Sequence, residues 1–364
     1  MISVSSPIKR TPRVMQLEGM FDLEPVDQST VEIPYNIPDL NERDWNIGLI
    51  VGPSGSGKST IANELFGSLV DPELNWPKDG SVVDAFPSEM GMKDITQLLS
   101  SVGFSSPPAW LRPYHVLSNG EKFRVTMARL LSEHPDLVVV DEFTSVVDRT
   151  VAKIGSAAIA RTVRKSKQKF VAVSCHYDIE EWLQPDWIYQ PDTGLFLWRS
   201  VQPRPHIDME VIRSDASAWR IFGPHHYLNK SVNRSARMYV GLVEGNAAAF
   251  VAVLPLMHPK VKKGFRLSRT VVLPDYQGIG IGEKLSTEIA ANYKSMGRQM
   301  TSTLAHPALI KARQHSPYWA CTRAPSRTAL SRTDFQRQSR ATGRLTVSFK
   351  YVGPAKDTLL GVVV

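Results

Sequence analysis

Gly52-Pro53-Ser54-Gly55-Ser56-Gly57-Lys58-Ser59-Thr60 follows the apolar run Ile47-Gly48-Leu49-Ile50-Val51 and leads into the helix-compatible IANELFGSLV at 61–70. Three glycines at this spacing let successive backbone N–H groups turn inward around an anion. Lys58 adds a point charge for the outer phosphates, and the Ser59 hydroxyl suits Mg²⁺. The stretch reads as a nucleotide-phosphate cradle between a buried strand and a helix. Gly52, Ser54, Gly55, Gly57, Lys58, Ser59 and Thr60 are the residues expected to hold the nucleotide.

Two stretches downstream extend that reading. Leu137-Val138-Val139-Val140-Asp141-Glu142 is an apolar run ending in two carboxylates, the pattern of a parallel strand buried on both faces with acids at its C-terminal edge. Asp141 is expected to hold Mg²⁺ together with Ser59, and Glu142 to orient the water that attacks the γ-phosphate. Leu117-Ser118-Asn119-Gly120-Glu121 opens the helical pattern KFRVTMARLLSEH, and a small-residue turn at a helix N-terminus offers free amides to an anion.

On these residues the chain resembles the ATP-binding-cassette (ABC) ATPases. GPSGSGKST corresponds to their Walker A motif, LSNGE to the signature, LVVVDE to Walker B, Ser145-Val146-Val147-Asp148 to the D-loop, and His176 in VSCHYD to the switch histidine. The resemblance covers roughly residues 15–200. It implies a head-to-tail, ATP-dependent homodimer in which Ser118 and Gly120 meet the γ-phosphate held by the other copy's Lys58. It also implies that His176 contacts the phosphate bound by its own Walker A, and that Asp148 communicates across the interface. Gln97 lies inside a helical pattern rather than after a strand, a poor Q-loop candidate. The short interval between Lys58 and Leu117 leaves little room for the helical subdomain with which transporter ATPases grip membrane subunits. A soluble ATPase driving an attached domain is the expectation.

At 364 residues, two domains are the natural prior, and 42% apolar with 21% charged residues is ordinary for a globular chain. No apolar segment is long enough to span a bilayer, and the start MISVSSPIKRTPRV lacks a secretory h-region. With only Cys175 and Cys321, a reducing cytoplasm fits. Residues 1–200 hold 19 Lys and Arg against 26 acids, whereas residues 201–364 hold 24 against 9. The basic excess belongs to the second half, as for a protein with a polyanionic partner, nucleic acid being the commonest.

Ahead of the cradle, MQLEGMFDLEPVDQSTVEIPYNIP is broken by Pro25, Pro34 and Pro38. It predicts short edge strands and turns, with Phe21 as an aromatic that can stack on adenine. The alternating prolines of VQPRPH at 201–206 predict an extended connector. The boundary falls near residue 203, giving domains 1–202 and 203–364.

In the second half, ARMYVGLVEGNAAAFVAVLPL predicts two strands joined at Glu244-Gly245-Asn246. A strand, the turn Gln277-Gly278-Ile279-Gly280-Ile281-Gly282 and an amphipathic helix carrying Leu285 and Ile289 follow, placing free amides at a helix N-terminus. This segment resembles the GNAT-type N-acyltransferases, whose Q/R-x-x-G-x-G/A turn binds the coenzyme A pyrophosphate. The resemblance implies a smaller α+β domain, acetyl-CoA or another acyl-CoA as cofactor, and Gln277, Gly278, Ile279, Gly280, Ile281 and Gly282 as its site. For the base, His226 and Tyr227 in GPHHYLNKS lead, with His225, His306, His315 and Tyr318 as further candidates and an ordinary polar helix end as the competing reading. The HHYL phrase is distantly similar to phage Mom-like DNA-modifying enzymes.

Residues 311–350 carry nine basic side chains and one acid, Asp334, interleaved with Trp319 and Phe335, with Tyr351 just beyond, a composition suited to a nucleic-acid path. The expected activity is ATP hydrolysis coupled to acylation of an amine, on a nucleic-acid base, a tRNA or a protein lysine. The alternative is an ATP-dependent nucleic-acid clamp in which the second fold only binds.

Overall fold

The computed structural model describes residues 1–67, 74–226, 231–258, 261, 263–327, 345–357 and 362–363. Ile47–Val51 is completely buried at the centre of a five-stranded sheet. It pairs in parallel with Lys169–Ser174 on one side and Trp187–Gln190 on the other. Leu137–Val140 extends the parallel set beyond Lys169–Ser174, and Leu195–Trp198 closes the far edge antiparallel. The central position demands more than apolar side chains: a Cβ on Gly48 would lie 2.1 Å from the Trp187 ring, so only glycine fits there.

Helices cover both faces of the sheet. Lys58–Phe66 leaves the cradle with Ile61 and Ala62 buried against Trp45 and Trp187. On the other face Asn119–Glu133 and Arg149–Val163 pack closely, where a Cβ on Gly155 would come 2.7 Å from the Phe123 ring.

The N-terminal layer differs from the expectation of strands alone. Ile2–Pro7 and Gln28–Ile33 do pair antiparallel, but Pro12–Phe21 between them is a helix. Thr11 caps it by accepting from Val14 N, and Pro12 supplies a preset φ at its first position. Phe21 ends this helix and is 63% exposed.

After a connector tied to the first half (Arg204 Nε to Trp182 O, 2.9 Å; Gln202 N to Gln184 Oε1, 2.6 Å), the chain builds an eight-stranded sheet. Asp208–Ser214, Arg237–Val243, Asn246–Pro255 and Gly264–Val272 form an antiparallel run. Helix Ile281–Ser295 then crosses over to Gln299–Leu304, which pairs parallel with Gly264–Val272. Leu345–Tyr351 and Trp319–Arg327 complete that side, and Val362–Val363 joins the opposite edge. The expected hairpin is present, with Glu244 and Gly245 both at positive φ. Ile154 from the first half packs into the second core beside Tyr276 and Ile281, so the two halves share apolar contact.

Candidate functional site

The parallel sheet brings the candidate residues of the first half to one carboxyl edge. Val51 is level with Ser174, and Val140 with Ala172, so Gly52, Asp141 and His176 leave adjoining strand ends together. Gly55 and Gly57 have φ of 81° and 83°, the left-handed geometry that curls the cradle. Gly57 also caps helix Lys58–Phe66, and a Cβ there would press to 2.8 Å from Ile33. Lys58 is buried and its ammonium donates across the loop to Pro53 O at 2.8 Å, aimed at the inside of the turn. Ser59 and Thr60 begin the helix beside it.

Asp141 and Glu142 form a tight turn. Glu142 N donates to the Asp141 carboxylate at 2.9 Å, Glu142 has φ 49°, and Ser145 Oγ donates to Glu142 Oε2 at 2.5 Å. Phe143 N reaches Val173 O and Ser174 Oγ reaches Phe143 O, locking this turn to the strand that carries His176. His176 N in turn donates to Ser174 Oγ at 3.1 Å. One carboxylate and one hydroxyl, Asp141 and Ser59, are hard oxygen donors of the kind Mg²⁺ uses when phosphates and water complete its shell.

Ser118 caps the signature helix: its Oγ accepts from Glu121 N at 3.3 Å while Glu121 Oε2 accepts from Ser118 N at 2.9 Å. Gly120 is buried behind it. Asp148 is likewise a helix cap, accepting from Val151 N at 3.0 Å, and the next residue, Arg149, pairs with Asp178. A cleft of about 950 Å³ opens between Asp141–Glu142 and the signature helix, walled by Asn119, Lys122 and the stacked rings of Trp76 and Tyr114. Gln97 stands exposed in helix Met92–Ser101.

In the second half the glycine turn is divided between two tasks. Gln277 Oε1 accepts from Ser105 N at 2.8 Å while its Nε2 donates to Val272 O at 2.9 Å. Gly278, at φ 95°, lies against Gly103, where a Cβ would come 2.8 Å from the Gly103 backbone. Both residues are therefore held by contact with the first half. A Cβ on Gly282 would meet Val272 at 2.8 Å, so this glycine seats the helix on its strand. Gly280, at φ 92°, caps helix Ile281–Ser295 with open space beside it, and Ile279 is half-buried before it.

His226 is buried (6% exposed) with its ring 5.6 Å from Trp219, and Tyr227 lies outside the described residues. His306 Nε2 is 3.0 Å from Ser105 O, and burial lowers its pKa. His315 and Tyr318 are exposed. Of the basic tail, residues 328–344 lie outside the described residues. The junction residues Gly103, Arg124 and Arg161 escaped the sequence reading. Arg124 alone carried a signal, a cation at an inward position of the signature helix.

Fold and site together define a P-loop nucleotide-binding domain. No family model matches the chain. It is similar to the energy-coupling factor transporter ATP-binding protein EcfA1 of Geobacillus kaustophilus, 28% identical over 175 residues, 38% of this chain and 61% of that protein. It is also similar to the zinc import ATP-binding protein ZnuC 1 of Hahella chejuensis, 30% identical over 141 residues, 33% of this chain and 52% of that protein. The chain thus spans about half to three fifths of these relatives' length. Among solved structures, cbiO1 of Clostridium perfringens, part of an ABC transporter complex, overlaps 43% of this chain and 77% of its own at 18% identity and TM-score 0.35. The relatives support an ATP-binding-cassette ATPase domain in this chain. Among the described residues no helix is long and apolar enough to cross a membrane.

Proposed function

We propose that this chain is an ATP-hydrolysing, ABC-type ATPase joined to a GNAT-like N-acyltransferase that acylates an amine on nucleic acid. The observation that carries the first part is the single sheet edge at which Lys58, Ser59, Asp141, Glu142 and His176 emerge. Lys58 and the cradle amides would bind the phosphates, Ser59 and Asp141 would hold Mg²⁺, and Glu142, fixed by Ser145, would take the proton of the attacking water. Mg²⁺ supplies neutralisation of charge on the departing phosphate. Ser118 and Gly120 complete the site of a second copy in a head-to-tail dimer, with His176 and Asp148 at its edges.

The second part is supported by the parallel pair around helix Ile281–Ser295. Gly264–Val272 pairs with Gln299–Leu304 only from Gly264 to Leu267 and then continues paired with Asn246–Pro255 alone, so the parallel pair parts ahead of the open helix N-terminus at Gly280. The first amides of that helix, free of intrahelical partners, suit a pyrophosphate, and the turn Gln277–Gly282 would hold an acyl-CoA, which would supply the activated thioester. The amine attacks the thioester carbonyl, the C–N bond forms as the C–S bond breaks, a base in the His226–Tyr227 segment takes the amine proton, and the thiolate is protonated as it leaves. The second half's polar sheet face carries Arg266, Arg269, Arg323 and Lys350 near the hydroxyls of Thr303 and Ser348, a lining suited to phosphates.

A second reading, an ATP-dependent nucleic-acid clamp with a non-catalytic second fold, is favoured by the engagement of Gln277 with Ser105 and the burial of His226. The test is direct. Purified protein hydrolyses Mg-ATP without membranes, and Glu142→Gln lowers the rate by about 100-fold or more. Calorimetry detects acetyl-CoA binding that Gly280→Glu abolishes. If neither acetyl-CoA binding nor any effect of Gly280→Glu is found, the clamp reading replaces the acyltransferase.

A further inference from the structure

Three segments of the first half converge on one short stretch of the second, 275–278. From the signature helix, Arg124 lies one turn past Gly120 on the same face and is 1% exposed. Its Nη2 donates to Asp275 O at 3.1 Å, while its Nη1 and Nε are 3.4 Å and 3.2 Å from where Cβ atoms on Gly120 and Gly103 would stand. Asp275, Asp148 and Glu121 surround it with negative charge, and burial lowers its pKa only to about 10, so it stays protonated at neutral pH. From the helix capped by Asp148, Arg161 Nη1 donates to Gly278 O at 3.0 Å. From the loop after Met92–Ser101, Ser105 N donates to Gln277, and Gly103 faces Gly278 backbone to backbone.

The two loops that the sequence marks as anion-binding turns, at Ser118–Gly120 and Gln277–Gly282, are therefore linked through one buried guanidinium, which touches Gly120, donates to Asp275 O and packs against Gly103, itself in backbone contact with Gly278. Such close-packed contacts pass displacement on rather than absorb it.

We propose that this junction is a relay: ATP binding, by re-seating the signature turn and the Asp148 cap, repositions 275–278 through Arg124 and Arg161, so the nucleotide state of the first half sets the geometry of the glycine turn in the second. The relay rests on the ATPase reading and is independent of what the glycine turn binds. By linkage, any ligand of that turn changes ATP affinity by the same factor with which ATP changes the affinity for that ligand.

Hydrogen–deuterium exchange on the full-length Glu142→Gln protein, with and without Mg-ATP, reads the relay in the peptide 274–284. ATP is expected to change its exchange by about 5-fold or more, the lower end of ordinary coupling. The effect is expected to vanish when Arg124→Lys or Arg161→Ala is added, with binding of a fluorescent ATP analogue retained. Arg161 is exposed, so its variant remains informative if Arg124→Lys fails to fold. ATP binding with unchanged exchange at 274–284, or an ATP effect undiminished in both variants, overturns the relay alone. Absence of ATP binding overturns the ATPase reading and the relay with it.

Discussion

Gly48 shows how much one atom decides in the central strand. Its missing Cβ leaves the space that the Trp187 ring fills, 2.1 Å from where that carbon would sit. Gly48→Ala must displace a buried indole or the strand itself, costing about 1–3 kcal/mol. Thermal unfolding is expected to show a lowered Tm; an unchanged Tm would mean that the strand and the indole yield freely. The shape of the loop at Gly52–Thr60 was legible because it is local: the left-handed glycines and the buried lysine fall within nine consecutive residues, and the spacing carries the geometry. Gly103 and Gly278 were not legible in the same way, because the reason each is glycine lies in the other half of the chain. Gln277 was read for its neighbours in sequence, yet its side chain answers to Ser105, 172 residues away.

Elements with strong periodicity were readable, including the buried strands at 47–51 and 137–140, the signature helix, and the hairpin at Glu244-Gly245-Asn246. The helix Pro12–Phe21 was missed because prolines downstream argued for strands, while the local cap of Thr11 and Pro12 outweighed them. The splitting of the parallel pair past Leu267 was also invisible, since divergence of strands is set by packing across the sheet. The hairpin offers a gain in stability. Glu244 sits at φ 50° ahead of Gly245 at φ 77°, a turn that Asn occupies more easily than Glu. Glu244→Asn is expected to raise stability by about 1 kcal/mol in denaturant unfolding. A loss of stability would show that Glu244 makes contacts that outweigh its backbone strain.

At the scale of the whole molecule, the junction joins two cores that each have their own sheet, and it includes titratable groups. Burial holds His306 below its ordinary 6.5, with Ser105 O pulling the other way. The folded state binds that proton less readily than the unfolded chain, so the full stability is present above 6.5 and is lost as pH falls through the folded value. Asp275 in the junction, and Glu283 inside the second half beside Arg313, are raised by burial and act in the opposite sense, favouring the folded state below their ordinary 3.8 and 4.5 and losing that benefit as pH rises through the raised values. Thermal melts between pH 7.5 and 5.5, run beside a His306→Asn variant that leaves Asp275 and Glu283 in place, read the histidine's part by difference. The unmodified protein is expected to lose more Tm on acidification than His306→Asn, and equal slopes would remove His306 from the junction's pH response.

The broadest part of the account is that ATP closes two copies around the turns at Gly52–Lys58 and Ser118–Gly120. Size-exclusion chromatography with light scattering on Glu142→Gln tests it most directly. The protein is expected to be a monomer without nucleotide and a dimer with Mg-ATP, reverting to monomer when Lys58→Ala is added; a Glu142→Gln protein that binds ATP yet stays monomeric would contradict ATP-driven closure.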